Sequence, residues 1–420
     1  MILEEEIDEL LERGIKLHRA GSILEAKDYY QKVLNKSPKN PDALNLLGVA
    51  SLHLGDTELA VSLITKALRN SPNNPGFLNN LGQAFQDLGD GMTAVTHFQN
   101  ALKFDPENTE VLNNLGITLT NLERYEEAGE IFKKATALED SNPDLFHNYA
   151  TMCQESRQLE LSIEYYQNAL NLDPNRPSTH GSLASAFEEL GERDQALHHY
   201  WLAIKLDPFH LDTHLAIKKL RWAEKNEKNI HDSFFYVCKA FPSSAEALFN
   251  LASSLFESND LKQAESYIEK AIEISNPNPR FYHLLATIYH AQMKYKKAVQ
   301  AHERCLSLDK RNPLYLERFG STLIAAKDYN RAFNELMAAH KLHPRRSGIL
   351  GALTIVTAEI SSSEINQFVD YEKFVSTRKI RTPRGFNELA DFNNALHEEI
   401  SVHHDGRPPP LGQTMRGGTQ

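Results

Sequence analysis

A 34-residue spacing runs through most of the chain and limits what it can become. Asn79-Asn80-Leu81-Gly82 returns as Asn113-Asn114-Leu115-Gly116, and the same step continues in both directions without insertion or deletion. Ten blocks result, starting at residues 7, 41, 75, 109, 143, 177, 211, 245, 279 and 313 and running from Ile7 to Arg346 of the 420-residue chain. A fixed period of this size means that each block is a small unit which buries its apolar face only against its neighbours. Length alone would suggest two or three globular domains, and the period replaces that expectation with one repetitive array.

The columns of the repeat carry physical meaning. At the eighth place stand Gly14, Gly48, Gly82, Gly116, Ala150, Ala184, Ala252, Ala286 and Gly320, with Lys218 as the exception. The twentieth place is likewise small, from Ala26 to Ala332, apart from Ile230. Two antiparallel helices approach closely only where side chains are small, so these columns predict the crossing inside each block. Bulky residues recur at the twenty-fourth place (Tyr30, Ile64, Phe98, Phe132, Tyr166, Tyr200, Phe234, Ile268, Leu336) and are expected to fill the space between successive blocks. Pro38, Pro72, Pro106, Pro174, Pro208, Pro242 and Pro344 at the thirty-second place end the second helix, because proline lacks an N–H and clashes with the preceding turn.

Ten such blocks in register resemble the tetratricopeptide repeat family. The resemblance implies an all-α superhelical solenoid of about ten helix-turn-helix repeats over residues 1–346, the first helix of each lining a concave groove. Residues 347–360 read as a helix capping the last apolar face, and a short irregular C-terminal extension follows.

Function in such a groove points to the sixth place, which holds Asn80, Asn114, Asn148 and Asn250, with Ser182 among them. An asparagine offers both donor and acceptor, so a ladder of them suits the backbone of an extended peptide. Similar ladders occur in the repeat domain of O-linked N-acetylglucosamine transferases, and the adjacent Asn79 and Asn113 strengthen the similarity. The competing reading is a set of solvated polar residues on an exposed helical face. Acidic residues at the second place (Asp8, Asp42, Glu110, Asp144, Asp212, Glu246) are read as partners of the helix dipole rather than as a ring for basic ligands.

Repeat seven, Leu211 to Ser244, departs from the pattern. It places Lys218 and Ile230 where small residues belong and gathers Lys218, Lys219, Arg221, Trp222, Lys225 and Lys228. It reads either as a bend or hinge or as an exposed Trp-Arg anchor for a partner, and the first is favoured. His210, Asp212 and His214 have the spacing of metal ligands, but His214 falls at a packing position and no metal site is expected there. Cys153, Cys238 and Cys305 are too few and too scattered for a disulfide framework or a zinc site, and read as small buried hydrophobes.

Composition narrows the partners. A net charge of −11, with 45 basic against 56 acidic residues and no long Lys/Arg run, speaks against nucleic acid and anionic membranes. The N-terminus is acidic where a secretory signal is basic, and the most apolar stretch, Ile349 to Ile360, is too short to span a bilayer. The expected setting is cytoplasmic and the expected partner a protein or extended peptide.

After Ile360 the period is lost. Residues 361–384 read as a linker. Tyr371-Glu372-Lys373-Phe374, Pro383-x-Gly385-Phe386, Phe392-Asn393-x-Ala395-Leu396 and Gln413-Thr414-x-Arg416-Gly417-Gly418-Thr419-Gln420 resemble the entrance to a 2-oxoglutarate/iron(II) oxygenase domain, of the kind that follows tetratricopeptide repeats in some bacterial proteins. On that resemblance residues 385–420 are the truncated start of such a domain, whose catalytic part would lie beyond Gln420. His403-His404-Asp405 contains an H-x-D, but no later histidine completes a facial triad and Gly406-Arg407-Pro408-Pro409-Pro410 is unsuited to a strand. No catalysis and no cofactor are therefore expected of residues 1–420; iron(II) and 2-oxoglutarate enter only with the missing domain.

Overall fold

The computed structural model describes residues 2–223 and 229–360. Lys225 and Lys228 of the basic cluster, the linker 361–384 and the oxygenase-like segment 385–420 lie outside the described residues. Among those described, 21 α-helices and no strand are present. The described residues divide into two compact units, one up to Thr213 and the other from His214.

Unit one contains α1 (Ile2–Arg19), α2 (Ile23–Lys36), α3 (Pro41–His53), α4 (Thr57–Asn70), α5 (Pro75–Asp87), α6 (Gly91–Phe104), α7 (Thr109–Asn121), α8 (Tyr125–Leu138), α9 (Pro143–Glu155), α10 (Leu159–Leu172), α11 (Pro177–Leu190) and α12 (Arg193–Leu206). α13 (Leu211–Ala223) contains the division. Unit two continues with α14 (Asp232–Ala240), α15 (Ala245–Glu257), α16 (Leu261–Ile274), α17 (Pro279–Ala291), α18 (Tyr295–Leu308), α19 (Pro313–Ala325), α20 (Tyr329–Leu342) and α21 (Ser347–Glu359). From α1 to α12, and again from α14 to α21, each helix packs on the next in sequence, as a repeat solenoid requires.

The start and stop of each helix follow from single columns. From α3 onward, first helices begin at the first place, often on a proline such as Pro41, Pro75 or Pro143, where the missing N–H costs no helical bond. The residue before it caps the helix: Asn40, Asn74 and Asn108 accept the backbone N–H of Ala43, Phe77 and Val111 at 2.8–3.1 Å. At the fifteenth place the chain turns with positive φ, in glycine at Gly55 and Gly89 (both +80°) and in a strained non-glycine residue at Met293 (+60°). Outside repeat seven, where α14 begins at Asp232, the second helix runs from the seventeenth to the thirtieth place, and where a proline stands at the thirty-second it stops two residues before it.

Packing adds to one expectation. The bulky twenty-fourth residue has a second role besides filling the space between successive repeats. It fills the notch left by the eighth place of its own repeat: a Cβ added at Gly82 or Gly116 would lie 2.5 or 2.6 Å from the ring of Phe98 or Phe132. The Phe98 and Phe132 rings are fully buried. Phe132 also stacks on Tyr149 of the following repeat, with ring centroids 5.6 Å apart. In unit two, α21 sets Ile349, Leu353 and Val356 against Phe319, Leu323 and Leu336 of the last repeat.

Candidate peptide-binding face

The first helices of unit one bring the sixth-place residues onto one face, and their amides are used in a way that spacing alone does not reveal. The Nδ2 of Asn80 donates to Oδ1 of Asn45 at 3.0 Å, that of Asn114 to Asn79 at 3.1 Å, and that of Asn148 to Asn113 at 2.9 Å. Each sixth-place asparagine is thus tied to the fifth-place asparagine of the repeat before it. Asn79 donates onward to the Glu110 carboxylate at 3.0 Å. Asn45 and Asn79 are buried, whereas Asn80, Asn114 and Asn148 are half-buried. Neither plain solvation nor a wholly free ladder describes these residues. One amide hydrogen of each is spent on holding neighbouring first helices in register. Among the described residues no hydrogen bond uses the Oδ1 of Asn80, Asn114 or Asn148, so an acceptor and a second N–H remain on each.

Ser182 and Asn250 stand outside this series. The fifth place before Ser182 is His147, which pairs with Thr179 at 3.0 Å. Before Asn250 the fifth place is Leu215, which is 39% exposed, so Asn250 has no corresponding tie.

Ser182 instead lines a cavity of about 500 Å³ between repeats five and six, together with Thr151, Gln154, Tyr166, Ser185 and Glu189. Its floor is a connected polar network. Tyr166, only 1% exposed, donates to Gln154 Oε1 at 3.1 Å and lies 3.1 Å from the Thr151 hydroxyl. Burial raises its phenol above the ordinary range. Gln154 in turn donates to Glu189 at 2.6 Å and to Ser185 at 3.3 Å. Such chaining fixes each rotamer, so the pocket is organised before anything enters it.

Second-place carboxylates do more than face helix dipoles. Asp144 pairs with Arg176, and Glu246 with Arg280 at 3.3 Å, while Glu110 receives Asn79. Repeat seven departs from expectation as well. Lys218 is not part of a basic surface: it is 2% exposed, and its Nζ donates to the Ser254 carbonyl at 3.0 Å and to Glu257 at 2.9 Å. Trp222 is half-buried rather than an exposed anchor. His214 is buried and stacks on Phe234, ring centroids 4.6 Å apart. Cys153, Cys238 and Cys305 are all buried free thiols, and burial pushes their pKa values up, Cys153 and Cys305 to about 12 and Cys238 to about 11.

Helical hairpins of fixed period, notched at the eighth place and joined first helix to first helix, define a helix-hairpin repeat protein. The chain belongs to the tetratricopeptide repeat family: models described by that name match residues 11–75, 55–206, 245–278 and 282–314. It is similar to the type IV pilus assembly protein PilF of Pseudomonas aeruginosa, 29% identical over 124 residues, which are 29% of this chain and 49% of the relative. The match thus spans about half the length of that curated relative. Among solved structures, one of P. aeruginosa PilF is 25% identical with a TM-score of 0.42, covering 50% of this chain and 96% of that one. PilW, a type IV pilus biogenesis factor, is 22% identical with a TM-score of 0.44, covering 49% and 96%. Yeast Tom70 is 17% identical with a TM-score of 0.39, covering 89% and 100%. No helix among the described residues is long and apolar enough to cross a membrane.

Proposed function

We propose that the chain is a protein-interaction scaffold whose first-helix face in unit one binds an extended polypeptide. The observation that carries this reading is the tied ladder. Asn80, Asn114 and Asn148 are held in one orientation by Asn45, Asn79 and Asn113, and each keeps an unused Oδ1. A row of oriented acceptors suits the N–H groups of a strand, and fixing the amides beforehand lowers the entropy lost on binding. Ser182 extends the row into the polar pocket; Asn250, lacking a tie, contributes only as a separate contact in unit two. Ligands of this kind need no metal or cofactor, and an acidic chain is ill suited to nucleic acid. A cytoplasmic setting accords with three thiols left outside any disulfide.

The test is selection from a phage-borne library of random dodecapeptides on the full chain and on the triple variant Asn80→Ala/Asn114→Ala/Asn148→Ala. Enrichment by the parent chain and its loss in the triple variant, with helicity retained by circular dichroism, are expected. Equal enrichment on both would discard the ladder. A second reading, the substrate-recruiting arm of an iron(II)/2-oxoglutarate oxygenase, rests on the resemblance of residues 371–420 alone. Stoichiometric iron binding with 2-oxoglutarate turnover by residues 1–420 would place catalysis within the chain itself, against the expectation drawn from its tail.

A further inference from the structure

We propose that the cavity between repeats five and six is a side-chain pocket for a lysine or arginine of the bound polypeptide. For its peptide context the proposal rests on the groove reading above. Four observations support the choice of a basic residue.

The cavity, about 500 Å³, falls in the size range of ligand clefts and is far larger than a trapped water needs. Its walls combine the aromatic ring of Tyr125 with two carboxylates, Glu155 and Glu189. Aliphatic methylenes lie well on a tyrosine ring, and a cation at the end of them is drawn both to the ring face and to the carboxylates. Hydroxyl oxygens of Thr151, Ser182 and Ser185 line the same space and supply neutral acceptors for the remaining N–H groups.

The protein already performs half of this recognition on itself. The guanidinium of Arg157 reaches Glu189 at 2.6 Å, although its side chain is 78% exposed. Arg157, itself part of the lining, thus lies on one carboxylate of the pocket, and it occupies only one of the two acids. Glu155 has no ion pair among the described residues. A lysine or arginine arriving from the groove would face Glu155 and either join or displace Arg157. An acidic ligand side chain would meet the unpaired Glu155, and an apolar one would cover that carboxylate without supplying it a partner.

The experiment uses the full chain labelled with 3-fluorotyrosine, the Tyr125 fluorine signal being assigned with Tyr125→Phe. N-acetyl-lysine methylamide is titrated as the probe, with the norleucine and glutamate analogues as neutral and acidic controls. A saturable shift at Tyr125 in the millimolar range is expected for the lysine probe alone, as suits an isolated side chain. Glu155→Gln should weaken it about fivefold, and Arg157→Gln should tighten it about two- to fivefold by removing the competing arm. A norleucine probe that titrates equally well, an unchanged constant in Glu155→Gln, or no saturable shift at Tyr125 would each overturn the proposal. The dodecapeptide selection separates this outcome from the broader one. Enriched peptides without lysine or arginine would leave the groove standing and remove the pocket. A lysine response at Tyr125 with no enriched peptide would keep the pocket and remove the groove.

Discussion

In repeats three and four the eighth place is glycine, and the ring of Phe98 or Phe132 fills the notch. In repeat seven the same place holds Lys218, whose ammonium crosses to the Ser254 carbonyl and the Glu257 carboxylate of the following repeat. One column is thus satisfied by shape in repeats three and four and by charge in repeat seven. Shape is local, since the notch and its filler belong to one hairpin. Charge is not, because a buried ammonium is tolerable only if the next repeat supplies its acceptors. The same helical hairpin can therefore be completed from within or by its neighbour.

The contrast is sharpest if the filler is removed. Phe98→Ala should cost about 3–5 kcal/mol, as for other fully buried rings. Because repeat arrays need not unfold in one step, hydrogen exchange of α5 to α7 is the better readout than a single melting temperature. Undiminished protection there would mean that the notch does not set the hairpin.

Unit two adds a titratable filler of its own. His302 occupies the twenty-fourth place, is 1% exposed, and burial together with His283, His290 and Arg318 lowers its pKa to about 3. The unfolded chain, with an ordinary histidine, binds the proton first, so stability is fully present above about pH 6.5 and is lost as pH falls toward the folded value. A loss on the order of 3 kcal/mol by pH 4 is expected from this residue. His302→Phe, which restores the ring type found in repeats three and four, should reduce the acid sensitivity in denaturant melts at about pH 7 and about pH 4.5. An identical pH dependence would assign the sensitivity elsewhere.

Adding a methyl group tests the notch from the other side. Gly82→Ala sets a Cβ against the Phe98 ring and should destabilise by about 1–3 kcal/mol, although alanine is the better helix former. Gly181→Ala, also within a helix but with nothing within 4 Å of its Cβ, should instead stabilise by about 0.5–1 kcal/mol. Matching signs in urea titrations would break the argument from shape. For charge, Lys218→Met keeps length and removes the ammonium, and should change stability by less than about 1.5 kcal/mol in either direction. Glu257→Ala in the Lys218→Met background should then be silent, whereas in the parent chain it should cost stability. The ladder carries a modest effect as well: Asn114→Ala should cost about 1 kcal/mol through the lost tie to Asn79.

Much of the hairpin is legible in the sequence because a close helix crossing admits only small residues, and a strict period puts them in one column. The caps at Asn40, Asn74 and Asn108 carry an equally plain signal, a polar residue directly before the first place, overshadowed by the proline two residues upstream. The ladder is legible as a row and not as a set of bonds. Asn80 meets Asn45 across 35 residues, and only the stacking of one repeat on the next turns that separation into 3.0 Å. Lys218 misleads for a related reason. A lysine in a small-residue column reads as decay until Glu257, 39 residues further on, is seen beside it. The pocket has no sequence signal beyond Ser182, since its floor joins residues of two repeats.

The asparagine ties also decide how such an array can change its length. Excising residues 75–108 would bring Asn114 opposite Asn45, a pair of the same kind as Asn80 and Asn45, and the junction would close without new chemistry. Excising residues 245–278 would instead put Ile288 and Ala291 where Ser254 and Glu257 stand, and leave the Lys218 ammonium buried beside alanine. Loss of a whole repeat thus leaves the tie intact in the first region, whereas loss of repeat eight removes the carboxylate on which the buried Lys218 relies.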